Sequence, residues 1–140
     1  MDKLIYRFNN QGTQSSFNSR KILGGKGANL AQMAKLGLPV PPGFTISTKV
    51  CEYFYKNNKK IPKKLIQQSK KEIKIIEKIS KKKFGDLSSP LLVSVRSGSR
   101  VSMPGMMDTI LNLGLNDKTV IALKNKTFNG RFAKDSYRRL

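Results

Sequence analysis

Histidine and tryptophan are absent from this chain of 140 residues, cysteine occurs once, and acidic residues number only eight. Without histidine there is no Ser/His or Cys/His catalytic pair and no usual zinc-ligand pattern. The lone Cys51 excludes an internal disulfide and reads as a small buried hydrophobe. No metal site is expected: Asp108 stands alone in its loop, where a single carboxylate makes a poor magnesium site and a loop cap is the simpler role. No run of 18 apolar residues exists, and Met1 to Asn10 lacks the apolar core of a signal peptide. The expectation is a cytoplasmic protein without a membrane span. The length suits one modest domain and is too short for a multi-step enzyme.

Acid is scarce and base is plentiful: 28 lysines and arginines give a formal charge of +20. Such a balance ordinarily points to nucleic acid. Half of it is local, with twelve lysines from Lys56 to Lys83 against Glu72 and Glu77. Leu65, Ile66, Ile73, Ile76 and Ile79 lie there at spacings compatible with one helical stripe, so the segment reads as an amphipathic helix with a lysine-covered outer face. No aromatic ladder, helix-turn-helix or other base-reading module accompanies it. Lys, Asn and Ile together supply 42 residues against seven arginines, the bias an AT-rich genome imposes. The charge is therefore read as mostly solvated surface, and nucleic acid is not the expected partner.

The remaining pattern alternates strands and helices. Lys3 to Phe8 suits a strand and Asn9 to Ser19 a polar loop. Gly25 to Leu36 suits a helix with Leu30, Met33, Ala34 and Leu38 on its apolar face, stopped by Gly37 and the prolines that follow. Phe44 to Ile46 reads as a strand, Thr48 to Tyr55 as a helix capped by Ser47 or Thr48, and Pro62 to Ser80 as the lysine-rich helix. Leu91 to Arg96 reads as a buried central strand. Asp117 is a plausible N-cap for a helix through Lys126, and another helix starts at Arg131.

Two motifs carry chemistry. In the first, Gly24, Gly25 and Gly27 flank Lys26 at a helix start, where backbone N–H groups approach an anion closely and a lysine adds a mobile charge. It is not a Walker A loop, because Gly27 follows the lysine where serine or threonine is needed. Nor is it a dinucleotide fingerprint, because Leu30 stands where the third glycine belongs. In the second, Val93 and Val95 alternate with Ser94 and Arg96, so Arg96 leaves its strand on the polar side before Ser97 and Gly98. Met103, Pro104, Gly105, Met106 and Met107 then form an adaptable apolar bend suited to a flat ligand such as a purine.

The 28 residues from Pro90 to Asp117 (PLLVSVRSGSRVSMPGMMDTILNLGLND), together with LGGKGANLAQMAKLGLPVPPGFTIST and RFAKDSYRRL, closely resemble the nucleotide-binding domain of pyruvate, phosphate dikinase. The resemblance implies an α/β fold, the first lobe of an ATP-grasp domain with a small sheet packed by helices. Residues 1–140 would be the N-terminal part of the ATP-binding domain, incomplete as it stands. The family interconverts ATP, pyruvate and phosphate with AMP, phosphoenolpyruvate and diphosphate. By position, Lys26, Arg96 and Arg139 would meet the ATP phosphates, with Gly25, Gly27, Met103 and Gly105 as nucleotide-loop candidates. Magnesium ligands, the phosphoryl-accepting histidine and the pyruvate-binding barrel belong to family portions without counterpart here, so no catalytic residue is assigned. Ser99 and Lys134 depart from the usual alanine and aromatic. The implied partners are ATP and a polypeptide supplying the rest of the dikinase. The other classes considered are a stand-alone module for nucleotide or partner, and a basic nucleic-acid-binding protein.

Overall fold

The computed structural model describes residues 3–9, 12–13, 20–98 and 109–140. Among them are five helices and five strands in two small antiparallel sheets, an α/β arrangement as the sequence implies. They fall into two compact units, one drawn from Met1–Ile76 and Gly98–Met106, the other from Glu77–Ser97 and Met107–Leu140. No helix among the described residues is long and apolar enough to cross a membrane.

In the first unit β1 (Ile5–Asn9) is flanked by β2 (Gly12–Thr13) and β3 (Gly43–Ile46). The register sets Ile5 opposite Ile46 and Phe8 opposite Gly43. The helix α1 (Arg20–Lys35) packs its smallest residues inward: Gly27, Ala28, Ala31 and Ala34 are buried, while Met33 and Leu38, expected on the inner face, are 41% and 46% exposed. The reason is steric. A Cβ on Gly27 would stand 2.7 Å from Thr45 Cγ2, so only a helix face of glycine and alanine approaches the sheet this closely.

The helix α2 (Thr48–Lys56) starts at Ser47, whose Oγ accepts from the Lys49 N–H at 3.3 Å. Val50 takes its buried position beside Leu4, Ile5 and Leu65. Cys51, one residue round the helix, is exposed, which corrects its reading as a buried hydrophobe. In α3 (Lys63–Ser80), Leu65 and Ile76 are buried, and Gln68, Ser69, Glu72 and Ile73 lie half-buried along the same face. Ile66 and Ile79 are each 47% exposed, so the inner stripe is rotated from the purely aliphatic one. Glu72 accounts for the rotation: its carboxylate accepts from Arg7 Nε at 2.7 Å and Nη2 at 2.9 Å, tying α3 to β1. The two bonds form a bidentate fork, and they raise the already high Arg7 pKa further.

In the second unit β4 (Val93–Arg96) pairs with β5 (Thr109–Leu113), a strand the sequence reading missed. Val93 lies opposite Leu113 but Val95 opposite Ile110, so β5 carries one extra residue across a bulge. Asn112, in the left-handed region at φ 57°, sits in it. The extra residue gathers Val93, Val95, Ile110 and Leu113 on one face despite their odd spacing on β5. The strand was expected to be central and buried. Among the described residues it has one neighbour, and Val95, Ile110 and Leu113 are 46%, 45% and 39% exposed.

The helices α4 (Thr119–Thr127) and α5 (Gly130–Arg138) complete this unit. Asp117 does not cap α4. Asn116 does so instead, its Oδ1 accepting from the N–H groups of Lys118 and Thr119 at 2.9 Å, while Thr119 Oγ1 accepts in return from the Asn116 N–H at 2.7 Å. Asp117 accepts from the Tyr137 hydroxyl at 2.9 Å, and this bond pushes the phenol pKa up. Asn129 caps α5 by accepting from the Phe132 N–H at 3.0 Å.

Candidate nucleotide-phosphate site

Lys26 is placed by a break in α1. Gly24 has φ 71° and ψ 172°, a left-handed conformation that glycine adopts without strain, and regular helix resumes at Gly25. Gly25, Lys26 and Gly27 thus form the first turn after the kink, the lysine half-buried and both glycines buried. The segment before the kink is fastened from outside, because Thr48 Oγ1 donates to the Lys21 carbonyl. Gly98, in the same unit, lies against the kink: a Cβ there would stand 3.7 Å from Gly24 Cα and from the Leu23 carbonyl oxygen. Gly27 has a packing role, since its missing side chain leaves room for Thr45.

Arg96 belongs to the other unit, as the last residue of β4, opposite Thr109 and exposed. The alternation along β4 sets it on the face away from Val93 and Val95, as its spacing suggested. Arg139 is also in that unit, as the C-cap of α5. The two supports are linked: Asn112 Nδ2, from the bulge of β5, donates to the Ser136 carbonyl at 3.0 Å, one turn before Arg139. Met103 and Gly105, and with them Asp108, lie outside the described residues.

Sequence reading overlooked the immediate surroundings of Arg139. Asp135 Oδ2 pairs with Arg139 Nε at 2.9 Å, and Oδ1 accepts from Arg138 Nη2 at 2.9 Å and Nε at 3.3 Å. The Arg138 hydrogen bonds, together with the positive charge of both arginines, hold the Asp135 carboxyl below the ordinary range. The clue was present in DSYRR, where one carboxylate precedes two arginines by three and four residues, the spacing at which helical side chains meet. These residues line an open hollow of about 960 Å³ with Lys124, Arg131 and Lys134.

Chemically, the donor set suits phosphate oxygens: a lysine acts as a point charge and arginine offers a planar fork. Magnesium is a different matter, since no group of three or more His, Cys, Asp or Glu side chains gathers as a metal site among the described residues.

Comparison with known proteins agrees with this chemistry. Residues 20–139 match the family described as "Pyruvate phosphate dikinase, AMP/ATP-binding domain". The chain is 60% identical over 121 residues to the pyruvate, phosphate dikinase of Entamoeba histolytica, covering 86% of this chain and 14% of that protein. Identity to the Rickettsia conorii enzyme is 53% over 139 residues, covering 99% of this chain and 16% of the relative. For the Clostridium symbiosum enzyme it is 52% over 139 residues, covering 99% and 15%. The chain thus spans roughly one seventh of the length of these curated relatives. From its glycine turn to its C-terminal arginines, the chain belongs to the pyruvate, phosphate dikinase family.

Proposed function

We propose that these 140 residues form the first lobe of an ATP-grasp domain and bind the phosphates of ATP as the N-terminal part of a cytoplasmic pyruvate, phosphate dikinase. The observation that carries this reading is the kinked glycine turn. Gly24 sets Lys26 in a helical first turn, where backbone N–H groups and a lysine charge suit an anion. The lysine neutralises charge on the phosphate chain while Arg96 grips its oxygens through a planar fork, and Arg139 adds a third cation. Both actions stabilise negative charge during phosphoryl transfer. Magnesium, where the full enzyme uses it, is held by carboxylates outside these residues.

The chemistry that follows nucleotide binding in the family needs a phosphoryl-accepting histidine, and these residues contain none. These residues alone therefore make no phosphoenolpyruvate, and the remaining steps fall to polypeptide beyond them. The exposed apolar face of Val95, Ile110 and Leu113 is suited to being covered by that polypeptide.

Titration calorimetry with ATP tests the binding claim. Lys26→Ala combined with Arg96→Ala is expected to weaken ATP binding at least about 100-fold, by removing two charge-assisted contacts. Unchanged ATP affinity in the double variant rejects the reading. Turnover to phosphoenolpyruvate by the purified chain in a coupled assay rejects the claim of inactivity.

A further inference from the structure

Five cationic side chains line the α4–α5 hollow, and Asp135 is the single carboxylate among them. An acid in such a place has two opposed effects on an anionic ligand. Its own charge repels the ligand, which weakens binding most at low salt. Its bonds to Arg138 and Arg139 hold two guanidinium groups that would otherwise repel each other and sample many rotamers. Their side chains are 73% and 60% exposed, so packing does little to fix them. The bonding pattern favours the second effect. Arg139 meets the carboxylate through Nε at 2.9 Å and Arg138 through Nη2 at 2.9 Å, so one carboxylate holds both guanidinium groups. Exposed ion pairs of this kind add little to folding stability, so the arrangement has small structural value of its own.

We propose that Asp135 is a positioning residue: by bonding Arg138 and Arg139 together, it holds them as a paired clamp for the phosphate chain of an oligophosphate ligand in the α4–α5 hollow. The inference rests on the reading above that Arg139 meets nucleotide phosphates, and it extends the site to Arg138 and Asp135. Lys124, Arg131 and Lys134 supply the surrounding positive potential. The shared chemistry is a run of linked phosphates, whether carried by ATP or free as diphosphate.

The sign of one substitution separates positioning from mere charge. On the full chain, Asp135→Asn removes a negative charge but also the brace. Titrations with ATP and with diphosphate are expected to show binding weakened about 3- to 10-fold at both about 50 mM and about 200 mM salt, the scale of a lost pre-organising contact. Asp135→Glu, which keeps the charge, is expected to recover part of the loss, and Arg139→Gln to lose more. A response of diphosphate alone assigns the clamp to the free anion, and a response of both ligands assigns it to the nucleotide's phosphate chain as well. Tighter or unchanged binding in Asp135→Asn, where Arg139→Gln weakens it, overturns the inference and leaves the nucleotide reading intact. If Arg139→Gln changes neither titration, the clamp is rejected, and Lys26→Ala, read on ATP in the same series, decides whether the glycine-turn reading stands. If neither ligand binds the wild-type chain, both readings fall.

Discussion

Glu72 and Asp135 both bind arginine, but the Glu72 side chain is 15% exposed between a helix and a strand, while that of Asp135 is 41% exposed on a helix surface. The Glu72 fork joins residues 65 positions apart, and breaking it leaves a guanidinium partly withdrawn from water. The Asp135 fork joins residues three and four positions apart that the helix already holds together. Similar bonds therefore serve different ends. Where burial is high the pair specifies the fold, and where it is low it arranges side chains for a ligand.

The largest test of this contrast lies in the packed unit that Glu72 helps to close. Gly27→Val places a branched side chain where a single Cβ already meets Thr45 at 2.7 Å, so it is expected to lower stability by about 3 kcal/mol or more. Denaturant unfolding measures it, and a loss under about 1 kcal/mol means that helix and sheet part more easily than close packing implies. Next comes Glu72→Gln, expected to cost about 1–3 kcal/mol, between the values for exposed and fully buried pairs. Asp135→Asn in the same assay is expected to leave the unfolding midpoint unchanged within error. Equal losses in the two variants erase the distinction between them. A smaller effect, about 1 kcal/mol, is expected for Asn116→Ala, which removes the acceptor for two N–H groups at the start of α4, whereas Asp117→Ala costs less.

Much of this arrangement was legible in the sequence, and the failures share a cause. Strand and helix positions followed from periodicity and caps, as with Ser47 before α2 and the end of α1 near Gly37. Burial was read too directly from hydrophobicity. On α1 the alanines and Gly27 face the sheet because the contact is close, and Met33 is left outside. On α3 a charged residue belongs to the inner face because its partner, Arg7, comes from a strand 65 residues earlier. No local pattern reveals such a partner. The strand β5 was hidden because its bulge at Asn112 breaks the alternation that marks a strand. Lys26 and Arg96 stood out because glycines and a strand end punctuate the sequence around them. Asp135 did not, because on a helix surface a carboxylate near arginines is ordinary.

The finest test concerns how the two arginines share Asp135. Its carboxyl is held below the ordinary range first by the hydrogen bonds from Arg138, and less by the charge of Arg139 and Arg138. A group whose pKa is depressed on folding contributes stability above its unfolded value, about 3.9, and loses it as pH falls through the folded value. Between pH 7 and about pH 5 the brace therefore stays ionised, and binding by the clamp should show no step from Asp135. Protonation, which removes the acceptor for both arginines, comes only below the ordinary carboxylate range, as pH falls through the depressed folded value. Following the Asp135 carboxyl by NMR, Arg138→Gln is expected to move its midpoint upward more than Arg139→Gln does. The reverse order would make Arg139 the tighter partner, with less freedom to meet a ligand, and the clamp would then have to close through Arg138.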